Sequence, residues 1–356
     1  MQVLHELWRR RRASWPPLPS RLHDGRLPAI RRASFLNKHL RIGLAANDGG
    51  AHTQELLEAF VVAKAWLGVE ASYVWENDER DPKAAVQAAR RLADSGVPIV
   101  VGHLSAAAAV AAVPVYAARN MAFIAPATSH PHLNPRGWPG VLRAFGTDGR
   151  TARSMVTIAP PGEHPAICFE RQAYSQALAA ELRQRLEAAG HAPAVVEIAD
   201  DTGLAALPST VSTLYIAGIH EFCADVARGV RKQGLDCTIS VGDDCYTPSF
   251  VERAVEAAEG CRISTQILSA LLSENGDAPV QGYLPTSVIA LTVALQAIAL
   301  FPELNGAELG KAMRARSWNT PYGSVTFDED GNLRGLSAIS FIVDKGAIRH
   351  FRGAPA

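Results

Sequence analysis

From residue 41 onward the apolar positions follow two rhythms. Short runs of consecutive aliphatic and β-branched residues alternate with longer stretches in which apolar side chains recur every three to four positions. The first suits a strand buried on both faces, the second an amphipathic helix. Strands are predicted at 41–45 (RIGLA), 71–76 (ASYVWE), 97–101 (VPIVV) and 121–125 (MAFIA). Helices are predicted over 52–67, where Leu56, Phe60, Ala63 and Leu67 share a face, over 82–95, and over the alanine-rich run headed by Ser105. The punctuation agrees: Gly49 and Gly50 break the chain, Asp81 caps a helix with Pro82 at its first position, and Gly96 stops it.

A second series repeats the pattern. Strands are expected at 165–170, 193–198, 212–218, 237–242 and 261–268, with helices at 174–189, 221–233 and 250–259. A long apolar helix at 285–301 and another at 307–315 follow. The closing stretch, 324–351, alternates around Asp330–Gly331 and Lys345–Gly346, which read as hairpin-like turns. Repeated βα units imply parallel sheets with right-handed crossovers. A break around 146–157 and the return of helices after 270 imply two α/β lobes with the chain passing between them.

Composition narrows the function classes. The chain has 356 residues and a formal net charge of zero, so no overall field draws it to nucleic acid or to a membrane surface. Residues 1–40 depart from this, holding nine Arg and Lys against Glu6 and Asp24, with Pro16, Pro17, Pro19 and Pro28. They read as a basic, poorly ordered arm, because the arginines lead into SWPPLPSRLHDGRLP and not into the apolar core of a secretory signal. The five cysteines all lie in the second half, and an odd count without CxxC spacing argues against a zinc site or a full disulfide framework. Cys168 reads as a buried inert thiol, leaving room for one bridge among the others.

No G-x-S-x-G, H-E-x-x-H, Walker A or G-x-G-x-x-G pattern is present. His130 and His132 read as a solvated loop pair, and His220–Glu221 as the start of a helix. Four places could hold a ligand. Ser105 heads a helix whose next residues, Ala106 to Ala109, leave the first amides uncovered; it is either a simple N-cap or the edge of a carboxylate site. Thr128–Ser129 follow the neighbouring strand and offer hydroxyls, or merely form a turn. Asp243–Asp244 follow a strand, where α/β ligands sit and where one carboxylate could meet an ammonium, although solvated loop acids are commoner. Tyr174 offers an aromatic wall and a hydroxyl, or helix-start packing.

Taken in order, several segments resemble the leucine/isoleucine/valine-binding proteins: DPKAAVQAARRLADSGVPIVVGHLSAAAA, IAPATSHPHL, VLRAFGTDGRTA, AICFERQAYSQALA and YGSVTFDEDGNLRG. The resemblance implies a periplasmic binding protein-like type I fold, α/β, with two Rossmann-like lobes of parallel sheet joined by a three-crossover hinge. It implies lobes of 41–147 plus 266–322 and of 148–265 plus 323–356. It implies a non-enzymatic solute-binding protein, without cofactor or metal, that captures a small amino acid or related amide. The partner would be a membrane permease of an ABC-type importer, with no nucleic acid involved and the protein monomeric. Residue by residue, Ser105, Ala106, Ala127, Thr128 and Ser129 would hold the α-carboxylate and part of the ammonium. Tyr174 would close over the ligand, Asp244 would face the ammonium, and His52 and Ile219 or His220 would contact the side chain.

Three departures qualify this. Alanines stand where hydroxyls are usual after the GHL turn, so carboxylate binding would rest on backbone amides. Asp244 replaces a longer Glu, and Arg80 and Ser105 stand where some members carry a cysteine pair. The location implied is periplasmic; a cytoplasmic sensor of the same fold is the alternative.

Overall fold

The computed structural model describes residues 39–199, 203–268 and 282–351. Residues 1–38 of the expected arm lie outside them, while Leu40 already belongs to the first strand. That lobe starts with β1 (Leu40–Ala46), α1 (Ala51–Leu67), β2 (Ala71–Asn77), α2 (Pro82–Asp94), β3 (Ile99–Gly102), α3 (Ala106–Ala118), β4 (Ala122–Ala125) and β5 (Val141–Arg143). The five strands form a parallel sheet in the order β2-β1-β3-β4-β5. Asp81 caps α2 by accepting from the amides of Lys83 and Ala84, with Pro82 at the first position as its sequence implies.

The second lobe follows with α4 (Asp148–Ile158), β6 (Pro165–Phe169), α5 (Ala173–Ala188), β7 (Ala194–Glu197), β8 (Thr213–Ala217), α6 (His220–Lys232), β9 (Thr238–Val241), α7 (Pro248–Ala254) and β10 (Arg262–Leu268). The chain then forms α8 (Leu284–Leu300) and α9 (Gly306–Arg314), the small hairpin β11 (Trp318–Thr320) and β12 (Gly323–Val325), then β13 (Leu336–Asp344) and β14 (Ala347–His350). The second sheet runs β14-β13-β10-β9-β8-β6-β7. Its strands from β10 to β7 are parallel; β13 and β14 add an antiparallel edge through the Lys345–Gly346 turn. The Asp330–Gly331 turn closes a smaller bridge between Phe327 and Leu333.

α8 shows why the chain returns to the first sheet. It is apolar all round, so it has no face for water, and residues 284–299 are buried against α1 and the first sheet. Trp318, Val325, Phe327 and Leu333 join the same core. The lobe boundaries expected at 265/266 and 322/323 therefore cut described elements: the first falls inside β10, the second inside the β11–β12 hairpin.

Two further expectations change. The break at 146–157 is largely α4, whose Thr151, Ala152, Met155 and Ile158 are buried; its many polar residues hid the helical period. β5 was not expected, being only three residues long after a Trp-Pro-Gly stretch. All five cysteines are buried and unpaired, so the bridge for which the sequence left room does not form.

Candidate functional site

The carboxyl ends of the strands in both lobes open onto one cavity of about 700 Å³. The loop after β1 contributes Asn47, Gly50 and His52; that after β3, Leu104 to Ala107; that after β4, Ala127 to Ser129. Across from them stand Tyr174 after β6, Ile219 to Glu221 after β8, and Asp244 after β9. Of the site residues singled out in the sequence, His52, Ser105, Ala106, Ala127, Thr128, Ser129, Tyr174, His220 and Asp244, with Ile219, line this cavity, whereas Asp243 lies buried behind it. Arg80 and Tyr283 complete the wall.

The β3–α3 turn is held from behind. At Gly102 φ is +149°, and a Cβ there would lie 2.1 Å from the Ala45 carbonyl oxygen, so only glycine lets the two strands approach. His103 follows at φ +49°, its backbone amide donating to the Ala45 carbonyl at 2.6 Å. Its buried ring bridges Asp78 Oδ2 at 2.9 Å and the Tyr116 hydroxyl at 2.7 Å. Ser105 Oγ accepts from the Ala108 amide at 3.3 Å, so it is an N-cap. The amides of Ala106 and Ala107 have no intrahelical partner and sit at the positive end of the helix dipole, on the cavity wall. The two readings of Ser105 are therefore compatible.

Thr128 has a partner within the protein. Its hydroxyl donates to the His103 carbonyl at 3.1 Å, tying the two loops together. Ser129 is braced by a residue the sequence did not single out: buried Arg143 donates to the Ser129 carbonyl at 2.6 Å and the His130 carbonyl at 2.9 Å. Burial pulls the Arg143 pKa down to about 10 against the attraction of Asp148 and Asp328. Beside it, burial, with His132 and Arg143 adding to it, lowers His130 to about 4, and its Nδ1 accepts the His132 amide at 3.1 Å. That pair caps a turn.

The second lobe's wall is a stack of carboxylates and hydroxyls. Asp243, buried, accepts from Thr151 and Tyr174 at 3.2 Å and from Tyr283 at 3.0 Å. Burial and the neighbouring Asp244 raise its pKa to about 6. The hydroxyl of Tyr174 thus gives its proton to Asp243, leaving its oxygen as an acceptor and its ring for a ligand. Asp244 Oδ2 accepts from both the backbone amide and Nδ1 of His220, at 2.7 and 2.9 Å. Its Oδ1 has looser neighbours, Tyr283 hydroxyl at 3.4 Å and His52 Nε2 at 3.5 Å. Burial would raise Asp244, but its bonds to His220 and His52 outweigh that and hold it well below the usual range. Burial would lower His52, but Asp244 and Glu55 outweigh that and raise it to about 10. The His52 ring of the first lobe therefore faces a carboxylate of the second. Tyr283 had no sequence signal, because only the packing of α8 brings it beneath Asp243.

The profile of the family described as periplasmic binding protein matches residues 45–345. The chain belongs to the periplasmic binding protein family. Among curated relatives, it is 26% identical over 303 residues to the leucine-, isoleucine-, valine-, threonine- and alanine-binding protein of Pseudomonas aeruginosa, covering 79% of this chain and 81% of that one. It is 28% identical over 291 residues to the Leu/Ile/Val-binding protein of Escherichia coli, covering 76% and 78%. Its fold is similar to that of a leucine-binding protein from Thermotoga maritima, with a TM-score of 0.75 at 20% identity over 88% of this chain and 97% of that one.

Proposed function

We propose that this chain is a non-enzymatic solute-binding protein that captures a small amino acid or related amide between its lobes and delivers it to the permease of an ABC-type importer. The observation that carries this is the pairing of opposite features across one cavity: the free amides of Ala106 and Ala107 on the first lobe and Asp244 Oδ1 on the second. The solute's carboxylate or carbonyl oxygen meets the α3 amides, and its N–H groups meet Oδ1, the oxygen with acceptor capacity to spare. The Tyr174 ring, Leu104 and Ile219 supply apolar walls. Closure of the two lobes on the solute would exclude water and strengthen both contacts. The names of the curated relatives support an amino acid, and the periplasm as its place of work fits the family.

A thermal-shift screen of amino acids, simple amides and urea tests the reading, since a solute that binds only the folded chain raises Tm by mass action. A concentration-dependent rise with one or a few members is expected. No rise with any member up to millimolar concentration would overturn it.

A further inference from the structure

One constellation in the cavity shares Asp244 with the proposed solute contact and adds two histidines to it. His52 at the start of α1 faces His220 and Asp244 from the other lobe, and one ligating atom from each lies within 4.8 Å of the others. We propose that these three side chains form a binding site for a divalent transition-metal ion of the zinc type, with Glu55 as the residue that orients His52.

The geometry is close to what such an ion requires. Tetrahedral coordination with bonds of about 2.0–2.1 Å places donor atoms about 3.3 Å apart. Here His220 Nδ1 is 2.9 Å from Asp244 Oδ2 and His52 Nε2 is 3.5 Å from the other oxygen, Oδ1, with one ligand atom of each residue within 4.8 Å of the others, so small side-chain rotations would bring all three onto one ion. The orientation of His52 is set from behind: its Nδ1 bonds Glu55 Oε2 at 3.1 Å, and that oxygen also accepts the Tyr283 amide at 2.8 Å. A carboxylate on the far nitrogen of a ligating histidine is the usual support in metal sites. It leaves Nε2 as the donor, and that buried atom has only the loose 3.5 Å approach of Asp244 Oδ1. Two imidazoles and one carboxylate suit zinc and its neighbours, and three protein ligands leave a position for a water or solute oxygen. Because one ligand comes from the first lobe and two from the second, the ion would also clasp the cleft.

The proposal goes beyond solute capture and does not depend on it. The test is titration of zinc chloride alone into the chelator-stripped full chain by calorimetry, with cobalt(II) absorption as a second readout on the unaltered protein. One ion per chain is expected, with tetrahedral cobalt bands in the visible. His52→Gln and His220→Gln should each weaken binding at least tenfold, and Glu55→Gln about tenfold. His132→Gln, on the exposed 131–133 turn, should change nothing. Absence of stoichiometric zinc binding and of cobalt bands, or equal affinity in the His52 and His220 variants, would overturn the site. The solute screen run in chelator separates the two ideas, since a solute response without a zinc response removes only the metal.

Discussion

Asp148 occupies the first position of α4 with its carboxyl buried, and its backbone amide donates to the Ser129 carbonyl. Burial pushes its pKa up to about 7, with the Ser129 hydroxyl and Arg143 opposing the shift and Asp243 adding to it. An unfolded Asp ionises near pH ~3.9. Below that pH both states are protonated and nothing is lost. As pH rises through the window to about 7, the unfolded chain releases a proton that the folded chain keeps, so Asp148 subtracts stability and does so fully above it. Asp148→Asn is therefore expected to match the parent near pH 4 and to exceed it by up to a few kcal/mol at pH 8. Urea denaturation at a series of pH values checks this; a difference that does not vary with pH would contradict it.

At this scale the sequence was legible where residue type and strand-end position together mark chemistry. Ser105 and Asp244 are of that kind. Thr128 and Tyr174 line the cavity, but their hydroxyls donate to His103 and Asp243, because a hydroxyl's partner depends on groups brought in from elsewhere in the chain. Arg143 and Tyr283 were not legible. An arginine in a short strand and a tyrosine ahead of an apolar helix acquire meaning only through carbonyls and carboxylates distant in the chain.

Among the elements, α3 makes the sharpest demand on its sequence. Its first turn presents Ala106 and Ala107 to the cavity, and only side chains this small leave the amides open to a ligand. Ala107 is half-buried, so a larger residue there would project over those amides. Ala107→Leu is expected to lower solute affinity at least tenfold while moving Tm by no more than about 2 °C, since leucine is nearly as good a helix former as alanine. Calorimetry and a melting curve on the same variant check both halves; unchanged affinity would remove the α3 amides from the site. Elements with a clean apolar rhythm and firm caps, such as α2 and β8, were readable in advance within a residue or two. α4 and β5 were not, because α4's outward face is crowded with polar residues and β5 is too short to show a period.

For the molecule as a whole, two sheets that share no strand meet at their loop ends, and the chain passes between them after β5, after β10 and between Leu333 and β13. That arrangement makes a cleft whose walls belong to different bodies, which is what a hinge-closing receptor needs. The general plan was legible because repeated βα units have few ways to pack. In the proposed complex a solute bridges the α3 amides and Asp244. Calorimetric titration of the best solute from the thermal screen into the parent chain and into Asp244→Ala tests it most directly. One site per chain is expected, with the variant weaker by about 1.5–3 kcal/mol, as for a hydrogen bond to a charged group. Equal affinity in the two proteins would contradict the account.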